Sequence, residues 1–218
     1  MMLLGKSYKT IFPLLAIPVL SAFLLLAVRV VATDSTRYLF LVWNLLLGLF
    51  PLFVLVLHSI YLKKHSWQSL GSLLLVFIFI AFLPNSFYIM TDYTHLRGAS
   101  EINVNYDILM INAFVFAGLI WGYCATSQFH RELRMRLPEM QSTIIMGLIF
   151  LAISFAIYLG RFVRWNSWDI LLQPAAIIFD VSEQVVNPNV HSNAYLYTSA
   201  FFIVLFSVHY TLWRLIRK

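Results

Sequence analysis

The sequence predicts an all-α protein, a polytopic integral membrane helical bundle, and three observations predict it. Apolar residues make up 61% of the 218-residue chain and charged ones 11%, against about 45–50% and about 25% in ordinary globular domains. Six apolar segments each reach the roughly 20 residues a helix needs to cross hydrocarbon. The basic residues gather in alternate connections between those segments, the pattern of a chain threaded through a membrane. A water-soluble domain of this size has too little interior for so much apolar surface.

The six spans are expected at about 10–31, 38–62, 68–91, 106–128, 141–163 and 194–214. The first is too long for a signal-peptide core and has no small-residue cleavage site, so it reads as a retained helix that also targets the chain. No internal repeat, low-complexity tract or linker interrupts the series, and the expectation is a single membrane domain over residues 1–218. Lys6, Lys9, Lys63, Lys64, Arg131, Arg134, Arg136, Arg214, Arg217 and Lys218 fall on one side with only Glu132 and Glu139 among the acids. The positive-inside rule makes that side cytoplasmic, with both termini, in a multi-pass protein of the cell membrane. Arg29, Arg37, Arg97, Arg161 and Arg164 fall on the outer side with the other seven acids.

The net charge of +6 does not indicate nucleic acid, because no basic stripe is interleaved with exposed aromatics. The lone Cys124 excludes an internal disulfide and any cysteine-based metal centre within one chain, and in an apolar run it reads as a small packing residue.

The third span carries a polar series: Asn85, Tyr88, Asp92 and His95 stand at i, i+3, i+7 and i+10, one quadrant of an α-helix. Pro84 beside them removes a backbone hydrogen bond, which lipid tolerates only where neighbouring groups re-satisfy the freed carbonyl. Asn44, Asn85 and Asn112 are expected at matching depths of roughly 7–11 Å below the outer boundary. They form either a hydrated pocket or an interhelical hydrogen-bond belt.

The densest polar cluster, "YLGRFVRWNSWDILLQP", follows the fifth span. Its Arg161 and Arg164, at i, i+3 on one helical end, suit a bidentate clamp on phosphate or carboxylate, with Asn166 and Asp169 beside them. Alternatively they lock the outer loops by pairing with Asp92, Asp107 or Asp169. Trp165 and Trp168 read as interfacial anchors. The connection from about 162 to 193 is long for a helical bundle. In it Ser167 is expected to cap a short helix with Asp169 near its positive end. "PAAIIFDVSEQVV" is either an interfacial helix with Asp180 and Glu183 on its polar face or an irregular loop.

Asp92 and His95 are weak candidates for two metal ligands, with Asp107 or Asp169 as a third. The same groups suit general acid–base work on a lipid-borne substrate, but no nucleophile motif, Gly-rich phosphate loop or paired-carboxylate spacing accompanies them. His58 and His209, both expected near the cytoplasmic face, have the residue type for a b-type haem or for ordinary interhelical hydrogen bonds.

The motifs "LPNSFYIMTDYTHLR", "NVNYDILM" and "YLGRFVRWNSWDILLQP" resemble a bacterial family of membrane proteins, the domain-of-unknown-function family thirteen-sixty-one. Pro84, Asn85, Tyr88, Thr91 and Asp92 match one family element, and Gly160 to Phe162 with Arg164 to Asp169 match the others. The resemblance runs roughly from the second span to the sixth and implies an integral membrane protein; the family has no assigned activity, so it supplies no chemistry and leaves the cofactor unknown.

Three functions follow as expectations. The first is binding, transport or processing of an amphiphilic anionic ligand at an outward site of Arg161, Arg164, Asn166, Asp169, Asn85, Tyr88, Asp92, His95 and Asp107. The second is a non-catalytic partner or regulator of another membrane protein. The third is an intramembrane metal- or haem-dependent enzyme. In each the lipid bilayer is the surrounding partner.

Overall fold

A computed structural model describes residues 2–3, 6–96, 104–187 and 192–216. Apart from a two-residue strand pair, β1 (Met2–Leu3) against β2 (Lys6–Ser7), every element is helical: α1 (Tyr8–Thr33), α2 (Phe40–Tyr61), α3 (Leu70–Phe82), α4 (Pro84–Tyr88), a 3-10 helix (Ile89–Leu96), α5 (Val104–Arg134), α6 (Glu139–Tyr158), a π turn (Leu159–Val163), α7 (Asp169–Leu172), α8 (Pro174–Val186) and α9 (Ser192–Ile216). Six helical stretches are long and apolar enough to cross a membrane: Thr10–Thr33, Phe40–Tyr61, Leu70–Leu96, Val104–Arg134, Glu139–Val163 and Ser192–Leu215. They coincide with the six expected spans, and the chain is a multi-pass, all-α membrane protein. The largest differences are at the ends of the third and fourth, where helix continues past the apolar run into polar residues.

The chain divides into two compact units, Met1–Gln128 and Phe129–Lys218. The division falls inside the continuous helix α5, so no linker marks it in the sequence.

In the first unit, α1 buries Ile11, Leu15, Ala22 and Leu26, and α2 buries Leu41, Leu45, Leu52 and Leu55, each a seam at helical spacing. Lipid offers a helix no hydrophobic reason to leave it, so association rests on close packing and hydrogen bonds. Close packing centres on Ser86 of α4. A Cβ on Gly122 would stand 2.8 Å from Ser86 Cβ and 2.9 Å from Phe87 Cζ, and one on Gly118 would stand 3.0 Å from the Ser86 carbonyl oxygen. From the other side Ser86 Oγ donates to the Gly48 carbonyl at 2.6 Å. Glycines on α2 and α5 thus let both helices approach the short α4.

The break before α4 follows from Pro84, which takes the first helical position, where its missing N–H costs nothing. Asn85 Nδ2 donates to the Phe82 carbonyl at 3.0 Å, satisfying an acceptor beside the break. Beyond Tyr88 the chain tightens into eight residues of 3-10 helix. Thr91 and Thr94 each return a hydroxyl hydrogen bond to the carbonyl three residues back, at 2.7 and 3.1 Å, which favours the tighter turn over the α-helix.

The second unit is built on α6 and α9. Met146, Phe150, Ile153 and Ile157 of α6 and Leu205 of α9 are buried, with the Phe150 and Phe206 rings 5.9 Å apart. Arg214 of α9 pairs with Glu139 of α6 at 3.1 Å. Tyr158, Leu159 and Ala194 form a further small core, against which Phe155, Val163, Trp165 and Val181 pack.

Candidate functional site

In the first unit the polar residues converge on the ends of four elements. Arg29, four residues before the end of α1, directs Nε at Asp107 Oδ1 at 2.6 Å and Nη2 at Oδ2 at 3.4 Å, and both residues are buried. Arg29 also contacts the Thr33 hydroxyl through Nη1. Tyr38, buried in the turn between α1 and α2, donates its hydroxyl to Asp107 Oδ2 at 2.9 Å. The guanidinium carbons of Arg29 and Arg37 each stand 5.6 Å from the Tyr38 ring centroid, within cation–π range. Burial, followed by the hydrogen bond and charge of Asp107, raises the Tyr38 phenol above its ordinary value against the opposing pull of Arg37 and Arg29. Tyr38 is therefore a neutral donor, and Asp107 is a carboxylate held by a cation and a phenol.

The 3-10 helix is tied on two sides. Asn44 Nδ2 of α2 donates to the buried Asp92 at 2.9 Å. On α5, Asn112 Oδ1 accepts from the Tyr93 hydroxyl at 2.5 Å, while its Nδ2 donates to the Ile108 carbonyl. Two of the three asparagines expected at one depth thus grip the 3-10 helix, and Asn85 serves its own backbone. Exposed Arg37 reaches the His95 carbonyl at 2.9 Å, and the His95 ring lies 4.4 Å from that of Phe40.

This geometry corrects the expected helical quadrant. The period changes at Ile89, so Asn85 and Tyr88 belong to an α turn, and Asp92 and His95 to a three-residue turn that sets His95 about 6 Å further along the axis. Asp92 is buried and His95 exposed. Arg97 lies outside the described residues. Among the described residues no three His, Cys, Asp or Glu side chains gather as metal ligands.

In the second unit the arginine motif also departs from an α-helical end. α6 loosens into the π turn, whose backbone closes from Arg164 N–H to the Leu159 carbonyl. Arg164 follows in the left-handed conformation at φ 68°. Arg161 therefore sits inside the turn, half-buried, and Arg164 beyond it, exposed, instead of the two lying at α-helical i, i+3. The Asp169 carboxylate accepts from the Asn166 backbone N–H at 2.7 Å and from its Nδ2 at 3.3 Å. Ser167 is not the cap expected: α7 starts at Asp169 with Trp168 before it and no side-chain cap. Half-buried Trp165 donates Nε1 to Asp180 Oδ2 at 2.7 Å.

"PAAIIFDVSEQVV" is the regular helix α8, yet Asp180 is not on its outer side. Ile177, Asp180, Val181 and Gln184, at i, i+3, i+4 and i+7, turn inward. There Gln184 Oε1 accepts from the Tyr158 hydroxyl at 3.3 Å.

The two histidines considered for haem each have a partner inside their own unit. His58 Nε2 lies 2.9 Å from Ser72 Oγ. His209 Nε2 lies 3.2 Å from His130 Nδ1, and the His130 ring stacks on Trp213 at 3.9 Å. An iron would have to displace a hydrogen bond at each Nε2.

The sequence reading left Arg29 and Tyr38 out of the site, although a charge inside the run "LLLAVRVVAT" is itself a signal that a buried partner exists. It also passed over Gly118 and Gly122, a G-x-x-x-G spacing in an apolar helix.

Six membrane-spanning helices, with polar groups clustered at helix ends, define the class as a multi-pass membrane protein. More particularly, the chain belongs to the family of proteins of unknown function DUF1361, whose family model matches residues 43–208. No curated protein and no solved structure matches the chain. The match covers Asp92, Asp107 and the whole arginine motif, and begins after Arg29 and Tyr38.

Proposed function

We propose that this membrane protein binds an amphiphilic anionic ligand of the lipid-phosphate kind, at the segment Arg161–Asp169, on the outer face of a cell membrane with both termini cytoplasmic. The observation that carries the reading is Arg164. An exposed arginine in the left-handed region costs about 1–2 kcal/mol relative to its ordinary conformation, and strained residues concentrate where a function needs them. A π turn, itself frequent at functional sites, precedes it, and Arg164 is exposed just beyond that turn. Arg161 and Asn166 add donors on the same stretch, and the Trp165 to Asp180 bond and the Asp169 clamp on Asn166 hold its backbone. Asp92 and Asp107, engaged by Asn44 and by Arg29 with Tyr38, serve the scaffold in this reading.

Orientation rests on the basic residues of the alternate connections. A ligand that binds the folded state raises its unfolding temperature. Purified protein warmed with a panel of phospholipid phosphates should therefore unfold later than without them, and Arg161→Gln and Arg164→Gln should abolish that delay. An unchanged delay in both variants across the panel rejects the reading.

A further inference from the structure

The helix α8 leaves more large apolar surface outside than a helix bathed in water would. Its inner side sets Ile177 and Val181 beside Asp180 and Gln184, the last two each spent on a hydrogen bond to the end of the α6 segment, at Trp165 and Tyr158. Its outer side carries Ile178, Phe179 and Val186, exposed to 66%, 68% and 72%. In water an amphipathic helix docks its apolar stripe and exposes its polar one. Here the docking face keeps two of the polar groups, and the largest apolar side chains are left outside. The outer Ser182 donates its hydroxyl to the Ile178 carbonyl at 2.7 Å, a bond compatible with a hydrocarbon environment.

We infer that α8 is a bilayer-immersed, non-spanning helix whose outer face, Ile178, Phe179 and Val186, takes lipid acyl chains. At 13 residues it is about 20 Å long, short of the roughly 30 Å hydrocarbon core, so it lies along the membrane boundary. That boundary is where the sequence brings it. It lies between the fifth span, ending at Val163, and the sixth, starting at Ser192. Phe162, Tyr195 and Leu196 at those two ends are exposed apolar residues too, so the face continues the lipid-facing surface of the spans. Exposed Glu183 stands on the flank of the apolar face, where the headgroup layer would begin.

Nitroxide labels test this in phosphatidylcholine–phosphatidylglycerol vesicles, using Ile178→Cys, Phe179→Cys and Val186→Cys in a Cys124→Ala background. Leu148→Cys, exposed in the middle of the fifth span, is the hydrocarbon reference. All three α8 labels should be reached by oxygen severalfold better than by a water-soluble nickel chelate, as at the reference. Preferential access by the chelate overturns the inference, as does shielding from both reagents. Spin–spin broadening between copies also overturns it, since a second chain would then cover the face. Unaltered protein supplies an independent readout. A photoactivatable diazirine in the acyl chain should leave adducts on the peptide Pro174–Val186, and their absence there, with adducts present on the spans, is equally fatal. Neither readout depends on any ligand of Arg164, so failure here and failure of the proposed function are separable.

Discussion

The two units give an arginine two different settings. In the first, arginine, aspartate, tyrosine and asparagine side chains turn toward one another: Arg29 and Tyr38 hold Asp107, and Asn44 holds Asp92. In the second, the polar side chains between α6 and α9 attach a short helix and a turn to the end of a span, and Arg164 remains exposed. A buried charge pair is a poor place for a ligand, because binding must first break it. An exposed arginine on a braced turn presents its donors without such a cost. The contrast separates residues that hold this protein together from residues free to meet something else.

The largest expected effect breaks the first unit's lock. Asp107→Leu strands the Arg29 cation and should cost about 3–5 kcal/mol of stability, whereas Asp107→Leu combined with Arg29→Leu should recover most of it. Denaturant titration in mild detergent checks both, and equal losses in the single and double variants would deny the pair its structural role. Next comes packing. Gly122→Val drives new methyl groups at Ser86 and Phe87 and should cost about 1–3 kcal/mol, seen as a lower unfolding temperature.

Tyr38→Phe removes a hydrogen bond to a charged group, worth about 1.5–3 kcal/mol. The folded state raises the Tyr38 pKa above its ordinary 10.0. Its contribution is therefore complete below pH 10 and disappears as pH rises through the raised value. The stability difference between wild type and Tyr38→Phe should shrink in that alkaline window and stay constant at neutral pH. The smallest effect sharpens the other side of the comparison. Arg164→Gly relieves the left-handed strain and should raise stability by about 1 kcal/mol while removing the response to lipid phosphates. A loss of stability instead would mean that the arginine is itself a structural brace.

The six spans were legible because length and apolarity set them directly: lipid admits only fully hydrogen-bonded helices or closed β-barrels, and apolar runs of about 20 residues fit the helix. The sites were legible only in part. Reading Asn85 to His95 at 3.6 residues per turn assumed one helix type, and the threonine back-bonds at Thr91 and Thr94 change the period midway. Reading Arg161 and Arg164 as helical neighbours failed for the converse reason, a widening into a π turn. The Asp107 pairing escaped because its partner is 78 positions away, and no local spacing reports a contact between the first span and the fourth. On α8 the expected polar face of Asp180 and Glu183 divides, with Asp180 turned inward beside Ile177 and Val181 and Glu183 exposed.

That distance of 78 positions also has a consequence in time. A ribosome adding about 5–20 residues per second delivers Asp107 to the membrane roughly 4–16 s after Arg29. Throughout that interval the first span exists as a helix with an uncompensated cation near one end. Its placement must rest on headgroups or water reached by the long side chain, until the fourth span arrives to seal it.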